Sequence, residues 1–526
     1  MTMLCVPIMI PQPDAVPHAL HRAEEAKKSG ANLVEWRVDT LIGSPEGIEA
    51  ISQLCGESPL PCLITCRSRE EGGSYEQDDV TYAELFETIT QMSINSGSPP
   101  RYLDVEWRRF ARSEVVRTAL RNLKETQADR DLSTTLIFSS HDFQGRPPTL
   151  MKHIAAMANE PLCDVIKVAW MARSLRDNLE AFELLQTRTK PMIALCMGDC
   201  GLMSRVLAPK FGGLLTFATD SRGEESAPGQ PTLDDLKNLY RFSSLSPETK
   251  LYGIIGWPVT HSRSPQVHNA GFHLIGHDGV YLPLPIPPEW EHFKATVGEL
   301  IDSPFLNFRG ASVTIPHKEH LVRFLEERGG RLDHLSKQIG AANTLIVGAT
   351  GAIGGWNTDG SAAVETLIEG MGISQEALSV KSVAILGAGG VARSIAGSLI
   401  ECGCSITIFN RNHQRAEQLV IDLNSPLIAV GETDQLADAP FNLIINCTSI
   451  GMENGPAPEK SPLEILAGST IPLASNTVYF DTVYTPQQTP FLRHAEEQGA
   501  TAISGLEMFR RQAAKQFALW TEHPEA

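Results

Sequence analysis

The chain has 526 residues, 42% apolar and 20% charged, a globular composition too long for one ordinary domain and incompatible with wholesale disorder or collagen-like structure. Its 44 basic and 62 acidic residues leave a net charge of −18, which argues against sequence-independent nucleic-acid binding and against an anionic membrane surface, while permitting a local basic pocket. No apolar run reaches the ~18 residues that span a bilayer, so small molecules, rather than nucleic acid or membrane, are the expected partners.

The opening segment MTMLCVPIMIPQP is apolar but lacks the basic flank of a signal peptide. It reads as a first strand, and a cytoplasmic location is expected. Seven more short β-rich runs follow, at residues 33–38, 62–66, 102–105, 135–139, 165–168, 192–197 and 214–217. Helical patterns lie between them at 17–29, 80–93, 113–127, 149–158 and 175–189. Near-continuous apolar strands alternating with helices predict a parallel sheet. Eight such units in about 240 residues predict an N-terminal (β/α)8 barrel, with an open doubly wound sheet as the rival. The ten cysteines include three close pairs, Cys62/Cys66, Cys196/Cys200 and Cys402/Cys404, none with the spacing of a zinc ligand set. They read as reduced thiols, and no metal is expected.

In a parallel barrel, side chains at the carboxyl ends of the strands converge on one mouth. Glu35 and Arg37 in VEWRVD, Arg67 and Glu71 in TCRSREEGG, Asp104 and Glu106, His141 in SSHDF, Lys167 in DVIKVAW and Arg205 in GLMSR all fall there. Lys167 is flanked by apolar residues, and an amine desolvated in that way is a nucleophile for ketones. His141 has the range to move the proton that an iminium acidifies. Arg67 and Arg205 suit bidentate grip of a carboxylate. Arg37 with Glu35 or Asp39 reads as a structural ion pair, the role expected of Asp39. The strings ExR, RSxxEGG, SSHDF, IKVA, GxxSR and SAPGQ (226–230) occur together and in order. In this the first 240 or so residues resemble type I 3-dehydroquinate dehydratase, a barrel of about 250 residues. The resemblance implies a Lys167 imine with the substrate ketone, His141 as acid and base for loss of water, and Glu35, Arg37, Arg67, Arg205, Ser226 and Gln230 as substrate contacts. Glu71, Ser226 and Gln230 would lie on loops closing over the substrate.

The polar segment PTLDDLKNLYRFSSLSPETK (231–250) predicts a last helix and a linker at 243–250. Beyond it, a strand at 251–255 leads to HSRSPQVHN, with Ser262 and Ser264 before a helix starting near Pro265; two hydroxyls near helix amides suit a carboxylate. ASVTIPHK places Thr314 at a strand end and Lys318 four residues on, while GAANTL and GWNTDG supply Asn343 and Asp359. A lysine and an aspartate facing a substrate can relay a proton as hydride moves. SVAILGAGGVARS reads as a strand, a loop with Gly387, Ala388, Gly389, Gly390 and Ala392, and a helix, the context in which glycines admit a pyrophosphate. The next strand, 405–409, ends in Asn410-Arg411 rather than in an acid, which favours the 2′-phosphate of NADP(H). The final helix sets Leu506, Phe509, Ala513, Phe517 and Trp520 on one face.

HSxSPxxHN, SVTxPHK, GAxNT, GxNTDG, GAGGxA, NR, NCTSIG (446–451), VYTPQQTP (483–490) and GLEMFxxQAAxxFxxW occur in order. The second half thereby resembles shikimate dehydrogenase. The resemblance implies Lys318 and Asp359 as the catalytic pair. It also implies Ser262, Ser264, Thr314, Asn343, Asp359 and Gln512 as shikimate contacts, Tyr484 closing the pocket, and Gly387–Gly390, Asn410 and Arg411 on NADP. Two positions depart from the pattern: Ser312 stands where the family has an amide, and Asn412 where it has Ser or Thr. The paired serines favour shikimate over quinate.

The expected organisation is a barrel over 1–242, a substrate lobe over 250–357 with 505–526, and a Rossmann cofactor lobe over 358–504. The two resemblances stand in reaction order. They imply a lyase and an NADP-dependent oxidoreductase on one chain, converting 3-dehydroquinate to 3-dehydroshikimate and then to shikimate. A metabolite-sensing regulator built from inactive copies would lack the chemical groups, and here Lys167, His141, Lys318 and Asp359 are all present.

Overall fold

The computed structural model describes residues 2–95, 99–259, 262–432, 435–438, 441–467 and 476–522. They form two compact units, Met1–Thr249 and Lys250–Ala526.

In the first unit, eight parallel strands form one sheet in the order β7-β6-β5-β4-β3-β2-β1-β8: β1 (Met3–Met9), β2 (Leu33–Arg37), β3 (Cys62–Thr65), β4 (Tyr102–Glu106), β5 (Thr135–Asp142), β6 (Val165–Met171), β7 (Met192–Met197) and β8 (Leu215–Phe217). The sheet curls on itself into a barrel: β8 pairs with β1, and the Leu214 N–H donates to Met192 O at 2.9 Å beside β7. The interior follows from the period of two along each strand. Cys5, Leu33, Leu63, Tyr102, Ile137, Val165, Ile193 and Leu215 belong to one apolar cluster. Two residues further along the same faces stand Glu35, Thr65, Asp104, Ser139 and Lys167, and two beyond those stand Arg37, Arg67, Glu106 and His141. An apolar floor therefore carries two polar tiers toward the carboxyl ends. The last helix expected in 231–250 is instead a π-helical turn, Asp235–Leu239, followed by a 3-10 turn, Phe242–Ser244. The turn continues from helical residues 233–234, and Leu233, Leu236 and Tyr240 bury its apolar side.

The second unit holds two sheets. The first, in the order β10-β9-β11-β13-β14-β12, comprises β9 (Lys250–Gly256), β10 (Gly279–Pro285), β11 (Phe308–Val313), β12 (Arg331–Leu332), β13 (Thr344–Val347) and β14 (Ile353–Trp356), with β13 antiparallel to β11 and β14. The second, entirely parallel, runs β17-β16-β15-β18-β19-β20 and comprises β15 (Ser382–Leu386), β16 (Ser405–Phe409), β17 (Ile428–Val430), β18 (Leu443–Asn446), β19 (Val478–Asp481) and β20 (Thr501–Ser504). This is the doubly wound dinucleotide-binding order, whose crevice opens where the winding reverses, between β15 and β18. The closing helix Gly505–Thr521 buries Phe509, Ala513, Phe517 and Trp520. Its Met508 joins the core of the second sheet, while Phe517 and Trp520 join an aromatic cluster on the first.

That cluster contains His268, which is fully buried and stacked on Tyr281 at 4.5 Å between ring centroids. Neither of its ring nitrogens has a hydrogen-bond partner among the described residues. Burial lowers its pKa to about 3, against roughly 6.5 in an unfolded chain. The neutral ring is thus compatible with folding above pH ~6.5, and stability is lost as pH falls toward 3, by about 1.4 kcal/mol per pH unit. His268→Phe, which preserves the stacking and removes two buried unpaired nitrogens, is expected to raise the melting temperature clearly more at about pH 4.5 than at about pH 8. Calorimetry of the full chain at both values checks this, and an equal effect at both would refute the assignment.

Among the described residues no helix is long and apolar enough to cross a membrane.

Candidate active sites

In the first unit Glu35, Arg37, Arg67, Glu71, His141, Lys167, Arg205 and Ser226 line one cavity at the carboxyl ends of the strands. Lys167 Nζ donates to Asp104 Oδ2 at 3.1 Å, lies 3.8 Å from Glu35 Oε1 and sits 4.6 Å from the centroid of the Phe217 ring. Its flanking residues predict an apolar shell. The structure adds two carboxylates, because β2 and β4 deliver Glu35 and Asp104 to the tier that holds Lys167. Both are pre-set, as Thr65 Oγ1 donates to Glu35 at 2.7 Å and Ser139 Oγ donates to Asp104 at 2.6 Å.

His141 Nδ1 lies 3.0 Å from Glu71 Oε2, and the His141 backbone N–H donates to the same oxygen at 3.1 Å. This fixes the ring plane and leaves Nε2 for a ligand. Burial, together with the cations Arg67, Lys167 and Arg37, holds the imidazole well below the usual histidine range, so it is neutral at physiological pH. Burial raises the Glu71 carboxyl to about 8. Glu71 is therefore buried against His141 rather than standing at the rim as a closing residue. Residues Arg69–Glu71 form a 3-10 turn, and Gly72, at φ +82°, reverses the chain where a Cβ would come within 2.3 Å of the Phe143 ring.

The two arginines proposed to grip a carboxylate differ. Arg67 lies 2.8 Å from Asp104, 3.4 Å from Glu106 and 3.3 Å from the raised Glu71 carboxyl, so Asp104 and Glu106 already neutralise its charge. Arg205, buried on the short helix Leu202–Val206, has no carboxylate partner among the described residues. Desolvation lowers its pKa to about 10. A buried cation without a counter-ion is a receptor waiting for an anion. Arg37 makes the expected ion pair with Asp39 at 2.7 Å. Gln230 is buried outside the cavity lining; its Oε1 accepts from the Ser226 backbone N–H at 3.0 Å and from Ser226 Oγ at 3.1 Å.

In the second unit a cavity of about 570 Å³ is lined by Gly387, Ala388, Gly389, Gly390, Asn410 and Arg411, by Lys318 and by the 447–450 loop. Gly387, at φ +113°, makes the turn from β15. A Cβ on Gly389 would meet nothing within 4 Å, so open space lies at the N-terminus of the helix Gly390–Glu401, where a pyrophosphate would sit. Ala392 does not line the cavity. It is fully buried in the core of the second sheet and acts as a spacer between helix and strand. Arg415, which the sequence analysis overlooked, lines the same cavity, and neither it nor Arg411 has an acidic partner among the described residues. Its signal was available, four residues past Arg411 and hence within the first turn of the helix His413–Leu423. Asn412 caps that helix, its Oδ1 accepting from Arg415 N at 3.2 Å. These features fit a phosphate-bearing dinucleotide.

Beside this cavity Lys318 Nζ donates to Asp359 Oδ2 at 2.5 Å, with both residues buried. β11 ends before Thr314 and Lys318 opens a helix, while Asp359 opens the helix Asp359–Met371, so two helix starts meet. Asn343 Nδ2 donates to Thr358 Oγ1 at 2.9 Å, and Gln512 O accepts from Thr358 Oγ1 at 3.3 Å, which draws both residues to the pair. Ser262 Oγ accepts from Ser264 N at 3.2 Å. The Ser312 departure is absorbed locally: Tyr281 OH donates to Ser312 Oγ at 2.6 Å, and Ser312 Oγ donates to Gln516 Oε1 at 2.7 Å. Gln516 Nε2 in turn donates to Asn343 O at 3.0 Å. Thr314 is placed through its backbone N–H, which donates to Ile255 O at 2.9 Å. Tyr484 stacks on Phe509 at 4.5 Å.

Three family models match in sequence order: type I 3-dehydroquinase over residues 4–247, the shikimate dehydrogenase substrate binding domain over 254–345, and shikimate/quinate 5-dehydrogenase over 372–453. The chain is 34% identical over 534 residues to the bifunctional 3-dehydroquinate dehydratase/shikimate dehydrogenase, chloroplastic, of Arabidopsis thaliana, covering 99% of this chain and 82% of that protein. It is 34% identical over 278 residues to the shikimate dehydrogenase (NADP(+)) of Paramagnetospirillum magneticum, covering 52% of this chain and 94% of that one. A solved structure of dehydroquinate dehydratase and shikimate dehydrogenase from S. pombe AroM aligns at 25% identity and a TM-score of 0.41, covering 99% of this chain and 96% of that one.

Proposed function

The chain belongs to the bifunctional 3-dehydroquinate dehydratase/shikimate dehydrogenase family, and on that premise we propose how its residues divide the work. It dehydrates 3-dehydroquinate through a Schiff base and reduces the resulting 3-dehydroshikimate to shikimate. We assign residues 1–242 to the dehydratase, 250–357 with 505–526 to the shikimate-binding lobe, and 358–504 to the cofactor lobe.

In the dehydratase, the Lys167 amine adds to the ketone and water leaves, giving an iminium whose positive charge faces Asp104 and Glu35. The neutral His141, held by Glu71, removes a proton from the adjacent carbon through Nε2 and returns it to the departing hydroxyl. Arg205 holds the substrate carboxylate, Ser226 closes above it with Gln230 holding Ser226 from outside the lining, and Arg37 meets a ring hydroxyl. Arg67 keeps the carboxylates around the amine in place. The observation carrying this half is that Lys167 and Arg205, a buried guanidinium with no carboxylate partner among the described residues, line one cavity.

In the dehydrogenase, NADPH would be held by Gly387–Gly390, with Asn410, Arg411 and Arg415 on its 2′-phosphate, and would supply the hydride. Lys318 donates a proton to the oxygen of the carbonyl being reduced, Asp359 orients the ammonium, and solvent returns the proton to the lysine. Ser262 and Ser264 take the substrate carboxylate, Thr314, Asn343 and Gln512 its hydroxyls, and Tyr484 closes the site. The ten cysteines are free thiols, which suits a reducing compartment such as the cytoplasm; the plant relative is chloroplastic by name.

Supplying the full chain with 3-dehydroquinate and NADPH tests the whole reading. NADPH consumption with accumulation of shikimate is expected, and consumption only after a separate dehydratase is added would refute the first half. Replacing both Arg411 and Arg415 by Ala is expected to raise the KM for NADP about 100-fold, from two lost charge-assisted bonds, while the KM for NAD stays within about threefold. Parallel steady-state assays with the two cofactors check this, and equal losses would remove the 2′-phosphate assignment.

A further inference from the structure

Asp481 ends β19 beside Asn446, which ends β18, the two being paired in register. Its side chain is fully buried, and all three groups bonded to it are donors. Oδ1 accepts from Asn446 Nδ2 at 2.9 Å and from the Val483 backbone N–H at 2.9 Å, and Oδ2 accepts from Thr489 Oγ1 at 2.6 Å. Each bond leads to a different piece of the dehydrogenase site. Asn446, with its amide turned by Asp481, accepts through Oδ1 from Thr448 N at 2.9 Å and Thr448 Oγ1 at 2.7 Å, and donates to Ile450 O at 3.2 Å. It thereby shapes the 447–450 loop that lines the cofactor cavity. Val483 and Thr489 bracket the segment carrying Tyr484, and Thr489 also caps the helix Pro490–Glu497. The two loops are tied directly as well, where Glu453 N donates to Thr485 O at 2.9 Å.

We propose that Asp481 is a positioning residue that sets the cofactor-facing loop 447–450 and the Tyr484 segment through one carboxylate, so that the two binding surfaces are held in mutual register. This rests on the reading that the cavity takes NADP and that Tyr484 faces shikimate. A carboxylate serves all three donors at once; an amide that keeps its oxygen toward Asn446 and Val483 turns its NH2 toward Thr489, whose hydroxyl must then reverse to accept, and the negative charge that strengthens all three bonds is lost. Burial raises the Asp481 carboxyl to about 6, so it is ionised at neutral pH and acts as an acceptor only.

Asp481→Asn, nearly identical in volume, is the diagnostic change. In the full chain it is expected to raise the KM for NADP and the KM for shikimate together, each about tenfold, and to leave dehydratase turnover unchanged. Thr489→Val removes the bond to Oδ2 on the Tyr484 side together with the cap of the helix Pro490–Glu497, and is expected to raise the shikimate KM alone. Asn446→Ala removes the bond to Oδ1 together with the bonds Asn446 makes to Thr448 and Ile450, all on the cofactor side, and is expected to raise the NADP KM alone. A merely structural carboxylate would lower the melting temperature and move neither constant, an outcome that overturns the proposal. If Asp481→Asn does not fold, the selective shifts of the other two variants decide, and their absence overturns it equally. Binding of NADP and shikimate to the unsubstituted chain is measured first, since failure there refutes the site reading and not the role of Asp481.

Discussion

Lys167→Ala is expected to abolish dehydration and to leave the reduction of 3-dehydroshikimate at its full rate. Removing a covalent nucleophile costs on the order of 10⁴-fold or more in turnover, because the two easier steps through the imine revert to one difficult elimination. The substitution also leaves Asp104 and Glu35 facing each other without the amine that lies 3.1 and 3.8 Å from them. Lys167→Met leaves the same two carboxylates without an ammonium, while its longer chain fills more of the vacated space. Both variants should be inactive as dehydratases. Mass spectrometry of borohydride-quenched mixtures with 3-dehydroquinate should find a substrate-sized adduct on Lys167 in the unsubstituted chain and none in either variant. Dehydration surviving in both, or an adduct on another lysine, would remove the imine mechanism.

The second large effect belongs to the Lys318–Asp359 pair. Lys318→Ala is expected to lower the dehydrogenase kcat by about 10²–10⁴-fold, the usual contribution of a positioned proton donor. Asp359→Asn keeps a hydrogen-bond acceptor at its place but loses the charge, so a smaller fall, nearer 10²-fold, is expected. Dehydratase turnover in both variants should match the unsubstituted chain, an internal measure that the protein is intact. The distinguishing measurement is the pH profile of kcat. A proton donor gives a basic limb that Lys318→Ala removes, whereas an ion pair of structural value only would lower the melting temperature and leave kcat and its profile in place.

The local chemistry of both sites was legible in the sequence. The eight barrel strands, the Gly387–Gly390 loop and its helix, and the lysines 167 and 318 are each written in a few consecutive residues, because strand alternation, glycine turns and helix starts depend on neighbours in the chain. Arg205 and Arg67 read alike in sequence, both being arginines at a carboxyl end. Which one is free depends on Asp104, Glu71 and Glu106, which arrive from other strands and loops. Glu71 reads as a loop residue, and only the turn at Gly72 reveals that it lies under His141.

By itself the sequence determined the barrel, the dinucleotide-binding order that follows it, and the residue types available for imine formation, proton transfer and phosphate binding. Tertiary structure alone decided which charges are neutralised and which remain for a ligand: two carboxylates beside Lys167, three around Arg67, none at Arg205 among the described residues, and a single carboxylate at Asp481 serving two loops. The reason is one of range. Backbone conformation is set over a few residues, whereas the charge state of a buried group is set by whatever lies within about 4–6 Å in space, and in these two units those neighbours come from strands many residues apart.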